Sequence, residues 1–254
     1  MDILISRNNG VLAIEFNRPD KKNAITAAMY QAMADALAEA EGDSAIRTVL
    51  IVGKPEIFTA GNDLEDFMRN PPAGDDSPVF QFLYRISHAG KPIVAAVAGA
   101  AVGVGTTMLL HCDLVYATDN AQFSLPFVQL GLCPEAASSL LLPRLAGYQR
   151  AAEKLLLGEP FGAAEAQQLG LVNRVLAPAE LLPFAHKQAA KLAALPPASV
   201  RLTKQLMKGG QTAAVEAQMA TEGQHFGAML KAPEAREAFT AFFEKRKPDF
   251  SRFS

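Results

Sequence analysis

Cysteine and histidine are scarce in this 254-residue chain. The two cysteines, Cys112 and Cys133, are too few for a disulfide framework and lack zinc-ligand spacing. The four histidines are scattered along the chain, which also argues against a metal centre. Half of the residues are hydrophobic, so a large core can form without disulfide bonds or structural metal ions. We therefore expect an α/β protein in a reducing compartment, with no metal.

Strong charge and long apolar runs are missing as well. The net charge of −2 argues against a nucleic-acid groove or an anionic membrane partner. No apolar run approaches the roughly 18–20 residues of a membrane span. The first residues, MDILISRNNG, lack the apolar run of a signal peptide, and the last, SRFS, are not a peroxisomal address. These features predict a cytoplasmic location.

Strands and helices alternate between residues 48 and 118. The segments TVLIVG, KPIVAAVAG and LVYAT predict buried strands, which indicates βαβ units and a mostly parallel sheet. A hairpin closed at residues 8–10 precedes them, and Thr26 is placed to cap the first helix. Fold class is therefore predicted as α/β.

The second half of the chain has a different pattern. After Pro143 the segments become mainly helical, and we expect a core over residues 1–195 followed by a helical region over 196–254. The polar, proline-rich segment 70–78 predicts a mobile loop.

Two glycine-centred turns supply the first chemical signal. In AGNDL (60–64), Gly61 permits an unusual backbone angle, and the amide of Asn62 can then face a cleft. In GAAVGVGTT (99–107), a helix starts after the glycines, so the amide of Val104 lies near an exposed N-terminus. Two such amides around one oxygen would form an oxyanion hole, in which side-chain identity matters little. A strand–glycine–helix turn of no catalytic importance is the alternative for each, and the third glycine of a dinucleotide fingerprint is missing.

Six motifs in order, NRPDKKNAI, FTAGNDL, KPIVAAVAGAAVGVG, CDLVYATDNAQFSLPFVQLGL, LGLVNRV and FTAFFEKRKPDF, cover essentially the whole chain. Together they resemble the enoyl-CoA hydratase/isomerase (crotonase) superfamily. The resemblance implies a crotonase-like spiral of ββα repeats with a C-terminal helical trimerisation region, and a homotrimer or hexamer. It also implies an acyl-CoA thioester substrate whose carbonyl lies between the amides of Asn62 and Val104, where an enolate would be stabilised.

The acids that the family's hydratases use are absent. By the resemblance, their two glutamates correspond to Thr107 and Phe127 here. Adding water needs one group to activate the water and one to manage the proton, and neither side chain can do this. Ordinary hydratase activity is therefore not expected.

Glu135 is the only charged residue between Asp119 and Arg144. The stretch LPFVQLGLCPEAASSLLLPRL and the motif GNDL resemble the Δ3,Δ2-enoyl-CoA isomerase branch, which implies that Glu135 alone moves a proton from C2 to C4. An apolar setting would raise its pKa, and no metal or redox cofactor is required, since coenzyme A is part of the substrate. The alternative is an acid in the first turn of a helix, favoured by the dipole.

The resemblance also implies the contacts to the substrate. The basic turn with Arg18, Lys21 and Lys22 would lie near the coenzyme A phosphates, although a solvated turn is the alternative. Phe127 would form a wall of the acyl pocket. The implied substrate-binding residues are Lys22, Ala24, Ala60, Gly61, Asp63, Leu64, Phe127, Phe242 and Lys245, the last two often reaching a neighbouring subunit.

Three functions remain open from the sequence. The favoured one is an enoyl-CoA isomerase serving β-oxidation of unsaturated fatty acids. The second is an isomerase of ring-derived acyl-CoA in aromatic degradation, whose relatives resemble this chain but carry aspartate near position 135. The third is a non-catalytic acyl-CoA-binding protein. Ser138 and Ser139 lack the Gly-x-Ser-x-Gly context of a serine hydrolase and can hydrogen-bond near the acid instead.

Overall fold

A computed structural model describes residues 1–70, 74 and 76–253 of the chain. Its strands are β1 (Ile3–Asn8), β2 (Val11–Phe16), β3 (Thr48–Val52), β4 (Ile57–Thr59), β5 (Ile93–Val97), β6 (Ala100–Val102), β7 (Leu114–Thr118), β8 (Gln122–Ser124), β9 (Phe161–Gly162) and β10 (Arg174–Leu176). Its helices are α1 (Ala27–Gly42), α2 (Leu64–Arg69), α3 (Pro78–His88), α4 (Val104–Thr107), α5 (Ser138–Ala146), α6 (Tyr148–Leu157), α7 (Ala163–Gln168), α8 (Pro178–Ala194), α9 (Pro197–Gly209), α10 (Thr212–Met229) and α11 (Pro233–Phe243).

Residues 71–73 and 75 lie outside the described residues, and they form part of the predicted mobile loop 70–78.

The larger sheet has the strand order β1-β2-β3-β5-β7-β10. Only β1 and β2 pair antiparallel, and every other neighbouring pair is parallel, as the alternation of strands and helices predicts. The strands β3 and β5 are buried along their whole length, because helices cover both faces of a parallel sheet. The β1–β2 hairpin turns through Asn9 and Gly10, both with positive φ, which suits a two-residue hairpin loop.

A second sheet, with the order β4-β6-β8-β9, was not predicted from the sequence. Its strands are only two or three residues long, too short to show an alternating pattern. Three of its four strands follow a strand of the first sheet: β3 leads to β4, β5 to β6 and β7 to β8, with a helix after each pair, whereas β9 follows α6. The resulting architecture is a spiral of ββα units, as the resemblance implies. The segment after Pro143, expected to be helical, also contains β9 and β10.

The helices complete the two faces of the larger sheet. On one face, α8 packs its buried alanines against Leu50, Val94 and Tyr116. On the other face, α1 and α3 pack together over the main core. Thr26 caps α1 by accepting a hydrogen bond from the amide of Met29 at 3.3 Å, which confirms the predicted start.

A third apolar cluster lies under the C-terminal helices. Phe226 of α10 and Phe239 of α11 pack with Phe67, Phe127 and Leu132 of the preceding segments. Helices α10 and α11 therefore pack directly onto the preceding segments, and the division into a core over 1–195 and a helical region over 196–254 stays a proposal. Within the described residues, no helix combines the length and the apolar character needed to cross a bilayer.

Candidate active site

A cavity of about 560 Å³ opens where the two glycine turns, the segment 126–135 and the C-terminal helices meet. It is large enough for a ligand of coenzyme size to enter in part. The predicted site residues that line it are Arg18, Lys21, Lys22, Ala24, Ala60, Gly61, Asn62, Asp63, Leu64, Val104, Phe127, Glu135 and Phe242.

The first glycine turn is held against the basic turn by backbone pairing. The amide of Ala60 donates to the Lys22 carbonyl at 3.0 Å, and the amide of Ile25 donates to the Gly61 carbonyl at 2.8 Å. Gly61 has φ +86°, and a Cβ there would lie 2.7 Å from the Val102 carbonyl oxygen. Only glycine fits both the angle and this close approach. Within the described residues, the N–H of Asn62 donates to no backbone or side-chain acceptor outside regular secondary structure, so it is free to face the cavity.

The Asn62 side chain has a partner that the sequence did not reveal. The hydroxyl of Tyr30, on α1, donates to Asn62 Oδ1 at 2.5 Å. Tyr30 is only 1% exposed, and burial raises the pKa of its hydroxyl well above the usual value, so it stays a neutral donor. The expectation that the identity of residue 62 matters little is therefore incomplete, because this hydrogen bond ties the Asn62 side chain to α1.

The second glycine turn presents the amide of Val104 to the same cavity. The amide of Gly103, which has φ +56°, donates to the Ser124 carbonyl at 2.9 Å and so fixes the turn on β8. Val104 is the first residue of α4, where an N–H has no partner within the helix. Since Val104 lines the cavity together with Asn62, two backbone donors are available to one ligand oxygen.

Glu135 is buried in the wall of this cavity. Its side chain is 8% exposed, and among the described residues its Oε1 atom is buried without a hydrogen-bond partner. Burial raises the pKa of Glu135 to about 8, and the nearby Glu222 carboxylate adds to the effect. Glu135 precedes the start of α5 at Ser138, so the alternative of an acid inside the first helical turn is wrong. A carboxyl group in this state can accept and return a proton near neutral pH.

The positions of the two hydratase acids carry no substitute acid. The Thr107 hydroxyl is buried and donates to the Val104 carbonyl at 3.5 Å, and Phe127 forms an apolar wall. Two other acids line the described part of the cavity. Asp63 pairs with Arg18 at 2.7 Å, and Glu65 is exposed at the rim.

The three cationic side chains of the basic turn have different surroundings: Arg18 is paired within the protein, whereas Lys21 and Lys22 are exposed. Arg18 donates to Asp63 and to the Ala24 carbonyl at 2.9 Å, so it braces the turn. Burial would raise the pKa of Asp63, but hydrogen bonds from Arg18 and from the backbone of α2 lower it below the usual value. Lys21 and Lys22 are exposed at the cavity and make no ion pair with the described residues, so they are available to a phosphate group.

Of the two substrate contacts predicted near the C-terminus, Phe242 and Lys245, only Phe242 lines the cavity. Phe242 lines the cavity, with 59% of its surface exposed. Lys245 is not among the residues that line it within one chain: it follows the end of α11 at Phe243 and is exposed. A contact from Lys245 to the same chain's ligand is therefore not supported.

Beside Glu135 lies a second, smaller space of about 40 Å³. Phe67, Glu135 and Phe226 line both this pocket and the large cavity, so the two are neighbours with the carboxyl group between them. The rest of the small pocket is apolar, with Val79 and Leu83 of α3 among its walls. A ligand with a polar carrier and a short apolar tail matches this pair of spaces.

Comparison with known proteins agrees with the geometry. A family model described as enoyl-CoA hydratase/isomerase matches residues 6–252. The chain is 34% identical to 2,3-dehydroadipyl-CoA hydratase of Escherichia coli (strain K12) over 252 residues, which is 98% of each chain. It is 35% identical to enoyl-CoA delta isomerase 2 of Rattus norvegicus over 252 residues, which is 97% of this chain and 64% of that protein.

The solved structures give the same result for the fold. A crystal structure of an enoyl-CoA hydratase/isomerase from Pseudoalteromonas atlantica T6c superposes with a TM-score of 0.94 at 45% identity. The match covers 98% of this chain and 100% of that chain. The spiral of ββα units, the paired amides and the family match all lead to one conclusion: the chain belongs to the enoyl-CoA hydratase/isomerase family.

Proposed function

We propose that this enzyme is an acyl-CoA isomerase that moves the double bond of a 3-enoyl-CoA to the trans-2 position. The observation that carries the proposal is the buried carboxyl group of Glu135, one oxygen of which has no hydrogen-bond partner among the described residues, at the cavity that the amides of Asn62 and Val104 also line. The absence of an acid at residues 107 and 127 supports isomerisation over hydration, since hydration needs a second proton-handling group.

The proposed reaction uses one carboxylate and two backbone donors. Glu135 removes a proton from C2, and the electron pair of that bond moves onto the thioester oxygen to form a dienolate. The amides of Asn62 and Val104 stabilise the negative oxygen by hydrogen bonds that strengthen as the charge develops. Glu135 then returns the proton at C4, and the double bond ends between C2 and C3. The proton is conserved and no electrons leave the substrate.

The state of Glu135 suits this double role. A pKa of about 8 keeps both forms of the carboxyl group accessible near neutral pH, where the base takes the proton and the acid returns it. The apolar pocket beside it supports a fatty-acyl tail next to the reacting carbons. Lys21 and Lys22 at the mouth of the cavity support binding of the coenzyme phosphates.

The test compares the wild type with Glu135→Gln on trans-3-hexenoyl-CoA, following the ultraviolet absorbance of the conjugated product. We expect a loss of turnover of roughly 10²–10⁴-fold, the usual contribution of a general acid–base group. The variant should keep its fold by circular dichroism and its affinity for a saturated acyl-CoA. Equal rates for the two proteins would show that Glu135 is a structural acid.

Further substrates separate the competing functions. Turnover of ring-derived thioesters with none of linear 3-enoyl-CoA would favour the isomerase of aromatic degradation. Binding without turnover of any of them would favour a non-catalytic acyl-CoA-binding protein. Hydration of a trans-2-enoyl-CoA at a rate comparable with isomerisation would refute the argument from the missing acids.

We also propose that the enzyme assembles as a homotrimer or hexamer through its C-terminal region. Support comes from large apolar side chains on α9 that remain exposed in the single chain: Leu202, Leu206 and Met207 are 54%, 74% and 68% exposed. In such an assembly Lys245 could reach a neighbouring subunit's ligand. Light scattering after size exclusion tests the stoichiometry, and a monomer would refute it. As part of the proposed isomerase function, we also propose a role in fatty-acid β-oxidation in the cytoplasm.

A further inference from the structure

A second buried carboxylate lies behind the turn that carries Glu135. Glu222, on α10, is 5% exposed. It accepts hydrogen bonds from the amide of Ala137 at 2.6 Å and from the amide of Ser139 at 3.0 Å, and also from the Ser139 hydroxyl. Gln218, one turn earlier on α10, donates to the Ser139 hydroxyl oxygen at 2.8 Å. All three donors to Glu222 belong to the segment that follows Glu135, so Glu222 and Gln218 together hold this segment against α10.

The gripped segment has an unfavourable backbone conformation. Ala136 and Ala137 have φ of +58° and +57°, two successive left-handed residues that both carry a Cβ. Such a conformation persists only where surrounding contacts impose it. Two hydrogen bonds reach this turn from side chains of other segments: His111 Nε2 donates to the Ala136 carbonyl at 2.8 Å, and Glu222 accepts from the Ala137 amide. Because this turn fixes the backbone directly after Glu135, it helps to set the direction in which the Glu135 side chain points.

Glu222 is also the charge that acts on Glu135. The other titratable groups around Glu135 are Tyr30 on α1, Cys133 in its own segment and His111 after α4. Burial raises the pKa of Tyr30 and of Cys133, and lowers that of His111 to about 4, so all three are neutral at neutral pH.

The remaining neighbours carry no charge, since α2 and α3 present apolar side chains to the pocket beside Glu135. Burial raises the pKa of Glu222 itself, but its three hydrogen bonds favour the ionised form.

We propose that Glu222 is a positioning residue for Glu135: its carboxylate holds the left-handed turn that aims Glu135 into the cavity, and it places a second buried carboxyl group behind that turn. The inference rests on the proposed function of Glu135 as the base. It goes beyond that function because Glu222 does not line the large cavity that receives the substrate.

The two roles of Glu222 can be separated by two substitutions. Glu222→Gln removes the charge and one acceptor while keeping the size of the side chain. Glu222→Asp keeps the charge but withdraws it from the turn by one methylene. We expect the Gln variant to change the proton affinity of Glu135, and the Asp variant mainly to lower kcat with KM unchanged, because the turn is held less firmly.

The decisive measurement is a ¹³C NMR titration of the glutamate carboxyl carbons. The Glu135 resonance is identified as the one lost in Glu135→Gln. In the wild type it should titrate near pH 8. In Glu222→Gln the midpoint should fall, and in Glu222→Asp it should stay closer to the wild type. The matched control is Glu216→Gln, an exposed acid on the same helix, which should leave the midpoint unchanged.

An unchanged midpoint in a folded Glu222→Gln protein would overturn the charge role, and an unchanged kcat in Glu222→Asp would overturn the positioning role. Because the titration needs no turnover, it can succeed even if the proposed isomerisation fails, and the two failures remain distinct. Where turnover is present, the acidic limb of kcat/KM should shift with the NMR midpoint. If Glu222→Gln does not fold, Ser139→Ala removes one hydrogen bond to Glu222 and should lower kcat without changing KM; an unchanged kcat would refute the inference.

Discussion

The proposed base should cost the protein stability, and this cost should depend on pH. Burial raises the pKa of Glu135 from an ordinary 4.5 to about 8, so the folded chain binds this proton more tightly than the unfolded chain does. Well below pH 4.5 both states are protonated and the carboxyl group costs nothing through ionisation. As the pH rises, the unfolded state gains by ionising while the folded state cannot, and the free energy of unfolding decreases.

The size of the effect follows from the two pKa values. The cost is ~1 kcal/mol at pH 5 and ~5 kcal/mol at pH 9, where the folded group has also ionised. Glu135→Gln removes this term, because an amide does not titrate. The variant should therefore gain stability relative to the wild type by about 4 kcal/mol between pH 5 and pH 9. For a chain of this length that gain corresponds to roughly 10 °C in Tm.

The assay is thermal unfolding of both proteins at pH 5 and at pH 9, at one fixed protein concentration, since assembly would make Tm depend on concentration. Any hydrogen bond that the amide gains or loses contributes equally at both values of pH and cancels in the comparison. Glu159→Gln is the control and should show no such trend, because Glu159 is exposed and makes no ion pair with the described residues. If the Tm difference between Glu135→Gln and the wild type is the same at both pH values, the carboxyl group is not buried in the way that the proposed mechanism requires.

Three further results are expected. Tyr30→Phe removes the hydrogen bond to Asn62, which should lower stability by about 1 kcal/mol and lower kcat/KM more than the affinity for saturated acyl-CoA; equal losses in both would contradict the role. The acidic limb of the wild-type kcat/KM profile should have a midpoint near pH 8, because the ionised form of Glu135 is the base, and a limb near pH 4.5 would contradict it. Gly223→Val fills the small apolar pocket and should lower kcat/KM for longer acyl chains by roughly fourfold per displaced methylene, whereas Gly227→Ala, one turn further along α10 in open space, should not.

The sequence predicted the long elements well because their signals are local. The strands β3 and β5 are continuous apolar runs, and Thr26 is a capping residue placed directly before an amphipathic helix. The short strands of the second sheet have no such signal, since two or three residues cannot show a period and their pairing is decided by distant segments. Their absence from the prediction therefore follows from their length.

In the candidate site too, residues with a local sequence signal could be predicted, and residues whose role depends on distant contacts could not. Glu135 could be singled out because it is a lone charge in a neutral stretch, within motifs that resemble a family. Glu222 could not, because MATEGQHF in α10 looks like an ordinary helix surface and its partners lie more than eighty residues earlier. Tyr30 has the spacing of a core residue in α1, and only the packed structure shows that its hydroxyl reaches Asn62.

The C-terminal helices have a consequence for how the enzyme is made. Phe226 of α10 and Phe239 and Phe242 of α11 form part of the cavity wall, while both glycine turns and Glu135 come earlier in the chain. A ribosome delivers the amides and the base first and this wall last. The cavity wall is therefore completed only when the final helices pack onto Phe67 and Phe127, so a growing chain should bind no thioester, and ligand binding can report on the last step of folding.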